Sequence, residues 1–202
     1  MITLHHLNRS RSKRVVWLLE ELGSSYNLVR HDRDSQTNLA PKSLKDIHPL
    51  GKAPIIVEDD ITLCESSTIM EYILDKEPSG KLRPAKNTPE YYQYLEWSHF
   101  AEGSLSLPLI STLFMGMEQR DGEQPLDAYI KKEITVDFAY IEDTLGAQEY
   151  FAGASFTAAD IMMTISLEIA GHIGLLQNTP NISAYLKRVQ QREAYIKAIN
   201  FD

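Results

Sequence analysis

The pattern of hydrophobic and polar positions divides the chain into two parts. The first part shows both strand and helix periodicity, and the second part shows helix periodicity alone. Four short apolar, β-prone runs predict strands over residues 2–7, 26–31, 55–57 and 61–63. Between the first two runs, Val15, Leu18, Leu19 and Leu22 recur on one helix face, and Gly23 is placed to end that helix. Further helices are predicted over residues 41–47 and 65–76. The order of elements in this part is therefore β-α-β-α-β-β-α.

From Pro89 onward the sequence shows only helical periodicity. A long aromatic-rich helix is predicted first, which Pro108 should kink or break. A second helix is marked by Ile130, Ile134, Phe138, Ile141 and Leu145, and two short amphipathic helices over residues 182–191 and 194–200 finish the chain.

Residues 78–84 contain two prolines and a glycine, the composition of a domain boundary. We therefore expect three parts: a domain at residues 1–77, a linker at 78–88 and a helical domain at 89–202. The element order of the first part matches the thioredoxin-like α/β fold, so the predicted architecture is a thioredoxin-like domain followed by an all-α domain.

The predicted helical domain contains a sequence signal for the N-terminus of a helix. Thr157 and Asp160 are spaced as a capping box, and Phe156 and Ile161 are spaced as a hydrophobic staple. The helix that follows is apolar on most sides, which predicts the buried central helix of that domain.

Composition excludes several classes of function. The formal net charge of −8 argues against nonspecific binding to nucleic acid or to an anionic membrane. Cys64 is the one cysteine among 202 residues, so no internal disulfide or Cys-x-x-Cys pair can form. No spacing of His, Asp or Glu suggests a metal site, and no apolar run reaches the length of a membrane span. The cytoplasm is the expected location.

Two neighbouring features favour a peptide-like ligand that carries a carboxylate. Pro54 opens an apolar strand run although it cannot donate a ladder hydrogen bond, which predicts a cis Ala53–Pro54 bond that turns the Ala53 N–H and C=O outward. An extended peptide could pair with these groups as an added strand does. Glu65 and Ser66 open a helix, and a helix N-terminus favours a bound carboxylate.

The segments Gly51-Lys52-Ala53-Pro54 and Glu65-Ser66 resemble the glutathione site of the glutathione S-transferases. The resemblance implies a serine-type enzyme, similar to the theta- and beta-like bacterial or fungal classes. It implies that Glu65 accepts the γ-glutamyl ammonium, that Ser66 holds the γ-glutamyl carboxylate, and that Lys52 pairs with the glycyl carboxylate.

The resemblance also implies that Ser10, between the first strand and the first helix, donates a hydrogen bond to the glutathione sulfur. A hydroxyl donor favours the thiolate, which is the nucleophile. Ser12 is a rival for this role and Asn8 a weaker one, and a simple helix cap is the alternative reading of Ser10.

The same resemblance implies the partners. Glutathione is the co-substrate, no metal is required, and a small hydrophobic electrophile is the second substrate. The candidates for contacting it lie in the helical domain: His99, Phe100, Ser104, Leu107, Met115 and Met117. The family is usually dimeric, and Glu102 is the candidate acidic residue that a partner copy would offer to the γ-glutamyl group.

Three other functions stay open at this point. The same site could reduce organic hydroperoxides, or the chain could be a binding or scaffold protein that keeps the fold without catalysis. A glutathione-dependent isomerase is disfavoured, because the serine-cysteine motif of the zeta-like isomerases is absent from residues 8–12.

Overall fold

The computed structural model describes residues 1–201, which form two units with separate cores. Of the described residues, the first unit comprises Met1–Lys81 together with residues 190–201, and the second comprises Leu82–Val189. None of the helices in the described part of the chain combines the length and the apolar character needed to cross a bilayer.

The first unit is a four-stranded mixed sheet with helices, as the periodicities predict. Its elements are β1 (Thr3–Leu7), α1 (Lys13–Leu22), β2 (Asn27–His31), α2 (Leu44–Ile47), β3 (Ile55–Glu58), β4 (Ile61–Cys64), α3 (Ser66–Asp75) and, from the far end of the chain, α9 (Glu193–Ile199). Gly23 ends α1 with a φ of 64°, a conformation that glycine adopts without steric cost. The thioredoxin-like prediction is confirmed.

Strand order in the sheet is β2-β1-β3-β4. The strand β1 runs parallel to β2 and antiparallel to β3, and β3 runs antiparallel to β4. A parallel pair requires a crossover connection, and α1 supplies it. Wholly buried side chains of α1 pack into the core, and Trp17 is the largest of them.

The last helix belongs to the first unit, which differs from the expected division at residues 89–202. Tyr195 of α9 packs edge-on against Trp17 of α1, with ring centroids 4.9 Å apart. Arg192 forms a bidentate ion pair with Glu21, whose side chain is only 10% exposed. The amphipathic period of residues 194–200 predicts an apolar face but does not say which core that face meets.

The second unit is all-helical, as expected. It contains α4 (Pro89–Gly103), α5 (Ser106–Met115), α6 (Pro125–Ala147), α7 (Ala158–His172) and α8 (Pro180–Val189). The helix α7 is buried along most of its length, which confirms it as the central helix. Around it, Trp97 stacks on Tyr140 and tilts against Phe151, each with ring centroids 4.7 Å apart.

The expectation that Pro108 breaks the first long helix is wrong. That helix ends at Gly103, and Pro108 instead lies in the first turn of the next helix, α5. Backbone N–H groups in a first turn have no intrahelical partner, so a proline there costs no hydrogen bond.

The capping box at the start of α7 is confirmed, and it is larger than the motif predicts. The Asp160 carboxylate accepts from the Thr157 N–H at 2.8 Å and from the Thr157 hydroxyl at 3.0 Å. It also accepts from the Phe151 N–H and the Tyr185 hydroxyl, both at 3.1 Å. Burial raises the pKa of Asp160 to about 6, and the four donors act in the opposite direction.

Replacing Asp160 with Ala should lower the free energy of unfolding by about 2–4 kcal/mol, because buried donors lose their shared acceptor. Urea unfolding measures this at a pH above 6, where the carboxylate is ionised. The matched control is Asp143→Ala on the exposed face of α6, which should change the free energy by less than about 0.5 kcal/mol. Equal losses in the two variants would contradict the prediction.

Candidate active site

The register of the sheet brings three separated segments to one edge. The partners His5–Ile55 and Ile55–Cys64 are in line across β1, β3 and β4. Because β3 is antiparallel to both neighbours, the chain leaves β1 and β4 at the same edge at which it enters β3. The loop after β1, residues 52–54 before β3 and the start of α3 after β4 therefore lie together.

The loop after β1 places two serines at different depths. Ser10 is partly exposed, whereas Ser12 is wholly buried. Their hydroxyl oxygens are 2.7 Å apart, and the Ser12 N–H donates to the Ser10 oxygen at 3.2 Å. Ser10 therefore keeps surface that a ligand from solvent can contact, whereas Ser12 keeps none.

Asn8 is occupied by holding this loop in place. Its side-chain oxygen accepts from the Arg33 N–H at 3.0 Å, and its backbone oxygen accepts from the Arg33 guanidinium at 3.2 Å. The same guanidinium donates to the backbone oxygens of Arg9 and Asn38. Arg33 therefore joins the loop after β1 to the segment after β2.

At the entrance to β3, the Ala53–Pro54 peptide bond is cis, as the sequence predicts. Ala53 packs on a small core cluster of Leu7, Leu44 and Ile55. Among the described residues, the N–H and C=O groups of Ala53 have no hydrogen-bond partner in the structure. This segment thus offers one donor and one acceptor at the same edge of the sheet as Ser10.

The start of α3 has an unusual backbone. Glu65 has a φ of 79° with an exposed side chain, and Ser66 follows as the buried first residue of the helix. A side chain at such a φ is uncommon outside glycine and asparagine, and it stores strain of about 1–3 kcal/mol. The free N–H groups of the first helical turn point out of this end of α3 and favour an anion.

The remaining predicted residues are more scattered. Lys52 is exposed, next to Ala53. In the second unit, His99, Ser104 and Leu107 are exposed, Met115 is partly exposed and Met117 is 70% exposed. Phe100 lies edge-on against Trp97 and Tyr140, so its ring is part of an aromatic cluster.

Sequence reasoning missed two residues at this edge, His6 and Arg33. His6 is wholly buried, and its Nδ1 lies 2.8 Å from the Ser12 hydroxyl. The sequence did offer a signal for His6, which is a polar residue on the inward face of a strand. A buried polar side chain needs hydrogen-bond partners, so such a histidine predicts a polar neighbour. No cluster of three or more potential metal ligands occurs in residues 1–201.

Comparison with known proteins gives the family of the chain. Models of the N-terminal and C-terminal domains of glutathione S-transferases match residues 1–75 and 105–198. Glutathione S-transferase 3 of Schizosaccharomyces pombe is 34% identical over 207 residues, covering 96% of this chain and 85% of that protein. The chain belongs to the glutathione S-transferase family.

Solved structures of family members agree at the level of the fold. A glutathione S-transferase from Actinobacillus pleuropneumoniae is 32% identical, with a TM-score of 0.89 over 99% of this chain and 92% of that one. A family member from Pseudomonas fluorescens, solved with two glutathione molecules bound, is 24% identical, with a TM-score of 0.83 over 98% of this chain and 92% of that one.

The strain at Glu65 leads to a prediction about stability. The free energy of unfolding of Glu65→Gly should be about 1 kcal/mol higher than that of Glu65→Ala, because glycine adopts a positive φ without steric cost. Urea titration of the pair measures the difference. At Glu71, inside α3, the same pair should show the opposite sign, because glycine weakens a helix interior. An alanine variant at position 65 as stable as the glycine variant would contradict the strain.

Proposed function

We propose that this chain conjugates glutathione to small electrophiles, with the Ser10 hydroxyl as the hydrogen-bond partner of the glutathione sulfur. The observation that carries the proposal is the depth of the two serines. Ser10 is the one that a ligand can reach, and it lies at the same sheet edge as the free backbone of Ala53 and the N-terminus of α3.

The residues at this edge fit the groups of glutathione. The unpaired N–H and C=O of Ala53 suit the peptide backbone of an extended tripeptide. The Ser66 hydroxyl and the free N–H groups of the first turn of α3 suit the γ-glutamyl carboxylate. Exposed Glu65 suits the γ-glutamyl ammonium, and exposed Lys52 suits the glycyl carboxylate.

The chemistry follows from the preference of a hydroxyl donor for an anionic acceptor. A thiol is mostly protonated at neutral pH, and the thiolate is the nucleophile. A hydrogen bond to a charged group contributes about 1.5–3 kcal/mol. Because one pKa unit corresponds to about 1.4 kcal/mol, the Ser10 hydroxyl is able to lower the thiol pKa by about one to two units.

The electrophile has a less defined site. The candidates of the second unit lie on α4 and α5, where His99, Ser104, Leu107 and Met115 keep exposed surface and Phe100 closes an aromatic cluster. Apolar and methionine side chains form an adaptable wall for varied hydrophobic ligands.

We also propose a homodimer in the cytoplasm. Exposed apolar side chains on α5, Leu107 and Phe114 among them, support an interface of this unit. Glu102 is the candidate contribution of a partner copy to the γ-glutamyl group, and within its own chain it accepts from the Ser106 hydroxyl at 3.3 Å. The cytoplasmic location rests on the family resemblance and the single cysteine.

Ser10→Ala should raise the pKa of the bound glutathione thiol by about one to two units and lower kcat/KM about 10- to 100-fold. The affinity for S-methylglutathione should stay unchanged, because this analogue has no S–H. Ultraviolet thiolate absorbance against pH measures the thiol, and a chromogenic aryl halide measures turnover. The rate should rise with pH around the thiol pKa, so the midpoint should move to higher pH in the variant.

Other outcomes identify the alternatives. If the wild-type protein binds glutathione without shifting its thiol pKa, the chain is a binding module rather than a catalyst. Faster turnover of an organic hydroperoxide than of the aryl halide would identify peroxide reduction as the main activity.

A further inference from the structure

A single guanidinium group holds the backbone on both sides of Arg9, the residue directly before Ser10. Arg33 Nε donates to the Asn8 backbone oxygen at 3.2 Å, and Arg33 Nη2 donates to the Arg9 backbone oxygen at 3.0 Å. A guanidinium carries only donors and a carbonyl oxygen only accepts, so the direction of both bonds is fixed. Arg33 has no part in the conjugation chemistry proposed above.

The backbone that Arg33 holds is in an unfavourable conformation. Arg9 has a φ of 49°, in the left-handed region that side chains of its kind rarely occupy. The two accepting carbonyls belong to the peptide planes before and after Arg9, so one planar fork restrains both the φ and the ψ of that residue. The second of these planes contains the N and Cα atoms of Ser10. The same restraint therefore sets where the Ser10 side chain leaves the backbone.

Two backbone groups after β1 and in β2 add to this restraint at residue 8. The Arg33 N–H donates to the Asn8 side-chain oxygen at 3.0 Å, and the Asn8 N–H donates to the His31 backbone oxygen at 3.2 Å. Asn8 is thus bonded to both ends of the segment 31–33. The loop that carries Ser10 is anchored to the end of β2.

The guanidinium is itself held by the turn that follows β2. The Asn38 backbone oxygen accepts from Arg33 Nη1 at 3.1 Å, and the Asn38 side-chain oxygen accepts from Arg9 Nη2 at 2.7 Å. The Asn38 N–H donates to the Asp34 backbone oxygen at 2.8 Å, and the Asp34 carboxylate accepts from the Thr37 N–H at 2.8 Å. Asn38 therefore has a defined place and links the two arginines.

We infer that Arg33 is a positioning residue for the Ser10 hydroxyl, an inference that rests on the proposed function of Ser10. The Ser12 N–H restrains the Ser10 oxygen from the helix side, and Arg33 restrains the Ser10 backbone from the strand side. A hydrogen bond weakens steeply as its distance and angle depart from the optimum. Loss of the restraint at Arg9 would displace the Ser10 hydroxyl, weaken its bond to the thiolate and raise the thiol pKa.

The test measures the pKa of the bound glutathione thiol in Arg33→Leu, Arg33→Lys and Ser10→Ala. Lysine keeps the positive charge, but its ammonium cannot replace the fork that reaches three separate carbonyl oxygens. Both Arg33 variants should raise the thiol pKa by about 0.5–1 unit, less than Ser10→Ala does. Below the thiol pKa, this lowers the thiolate fraction about 3- to 10-fold. A rise in Arg33→Leu alone would assign the effect to charge and overturn the inference.

A double variant tests whether Arg33 acts through Ser10. Ser10→Ala combined with Arg33→Leu should have the same thiol pKa as Ser10→Ala alone, because a misplaced hydroxyl has no effect once the hydroxyl is absent. If the two changes add in full, Arg33 acts on the thiol by another route and the inference is wrong.

Arg30 provides the matched control. It is exposed on β2, and within residues 1–201 its side chain takes part in no hydrogen bond or ion pair. Arg30→Leu removes the same charge three residues away and should leave the thiol pKa unchanged. Affinity for S-methylglutathione should stay within about twofold in every variant. The bonds described above reach residues 8, 9 and 38, whereas the glutathione peptide is proposed to bind residues 52–54 and 65–66.

A measurement on the wild-type protein does not depend on any variant folding. The Nε hydrogen of Arg33 is bonded to a backbone oxygen, so it should exchange with solvent more slowly than the Nε hydrogen of Arg30. Equal exchange rates would overturn the inference.

The outcomes distinguish the inference from the function on which it rests. If Ser10→Ala leaves the thiol pKa unshifted, the proposed function of Ser10 fails. If Ser10→Ala raises the thiol pKa while both Arg33 variants keep the wild-type value, the positioning inference alone is overturned.

Discussion

The candidate site depends on one constraint, the antiparallel pairing of β3 with both of its neighbours. With β1 and β4 antiparallel to β3 and in register at Ile55, the ends of two strands and the beginning of a third meet at one sheet edge. Residues 8–12, 52–54 and 65–66 are far apart in sequence and become neighbours only through this pairing. A one-residue slip would turn the side chains of a strand to the opposite face.

Buried polar groups that pair with one another organise both units in the same way. In the first unit, Ser12 and His6 satisfy one another beneath the loop that carries Ser10. In the second unit, Asp160 collects the donors of Thr157, Phe151 and Tyr185 at the start of the central helix. Since an unpaired buried polar group is costly, each network permits very few arrangements of its side chains. Such networks give the elements around them a defined geometry.

The family and the fold do not name the residues that carry the reaction, because one fold can host different sites. What points to thiol chemistry here is the combination of a reachable hydroxyl, an unpaired peptide group and a strained helix start at a single edge. The strain at Glu65 supports this reading, since unfavourable backbone conformations persist where the surrounding structure enforces them, often at functional sites.

The sequence by itself determined the elements and the residue types of the site. Local periodicity defines β1 through α3. The predictions for Pro54, Glu65 and Ser66 follow from their residue types and from their immediate neighbours in the sequence. Tertiary structure decided the rest, because the deciding contacts join residues that are distant in the chain. Only the fold assigns α9 to the first unit through Trp17 and Tyr195, and only the fold buries Ser12 while leaving Ser10 within reach. Only the fold brings the His6 ring to the backbone oxygen of Phe201, 195 residues away, which no local pattern can encode.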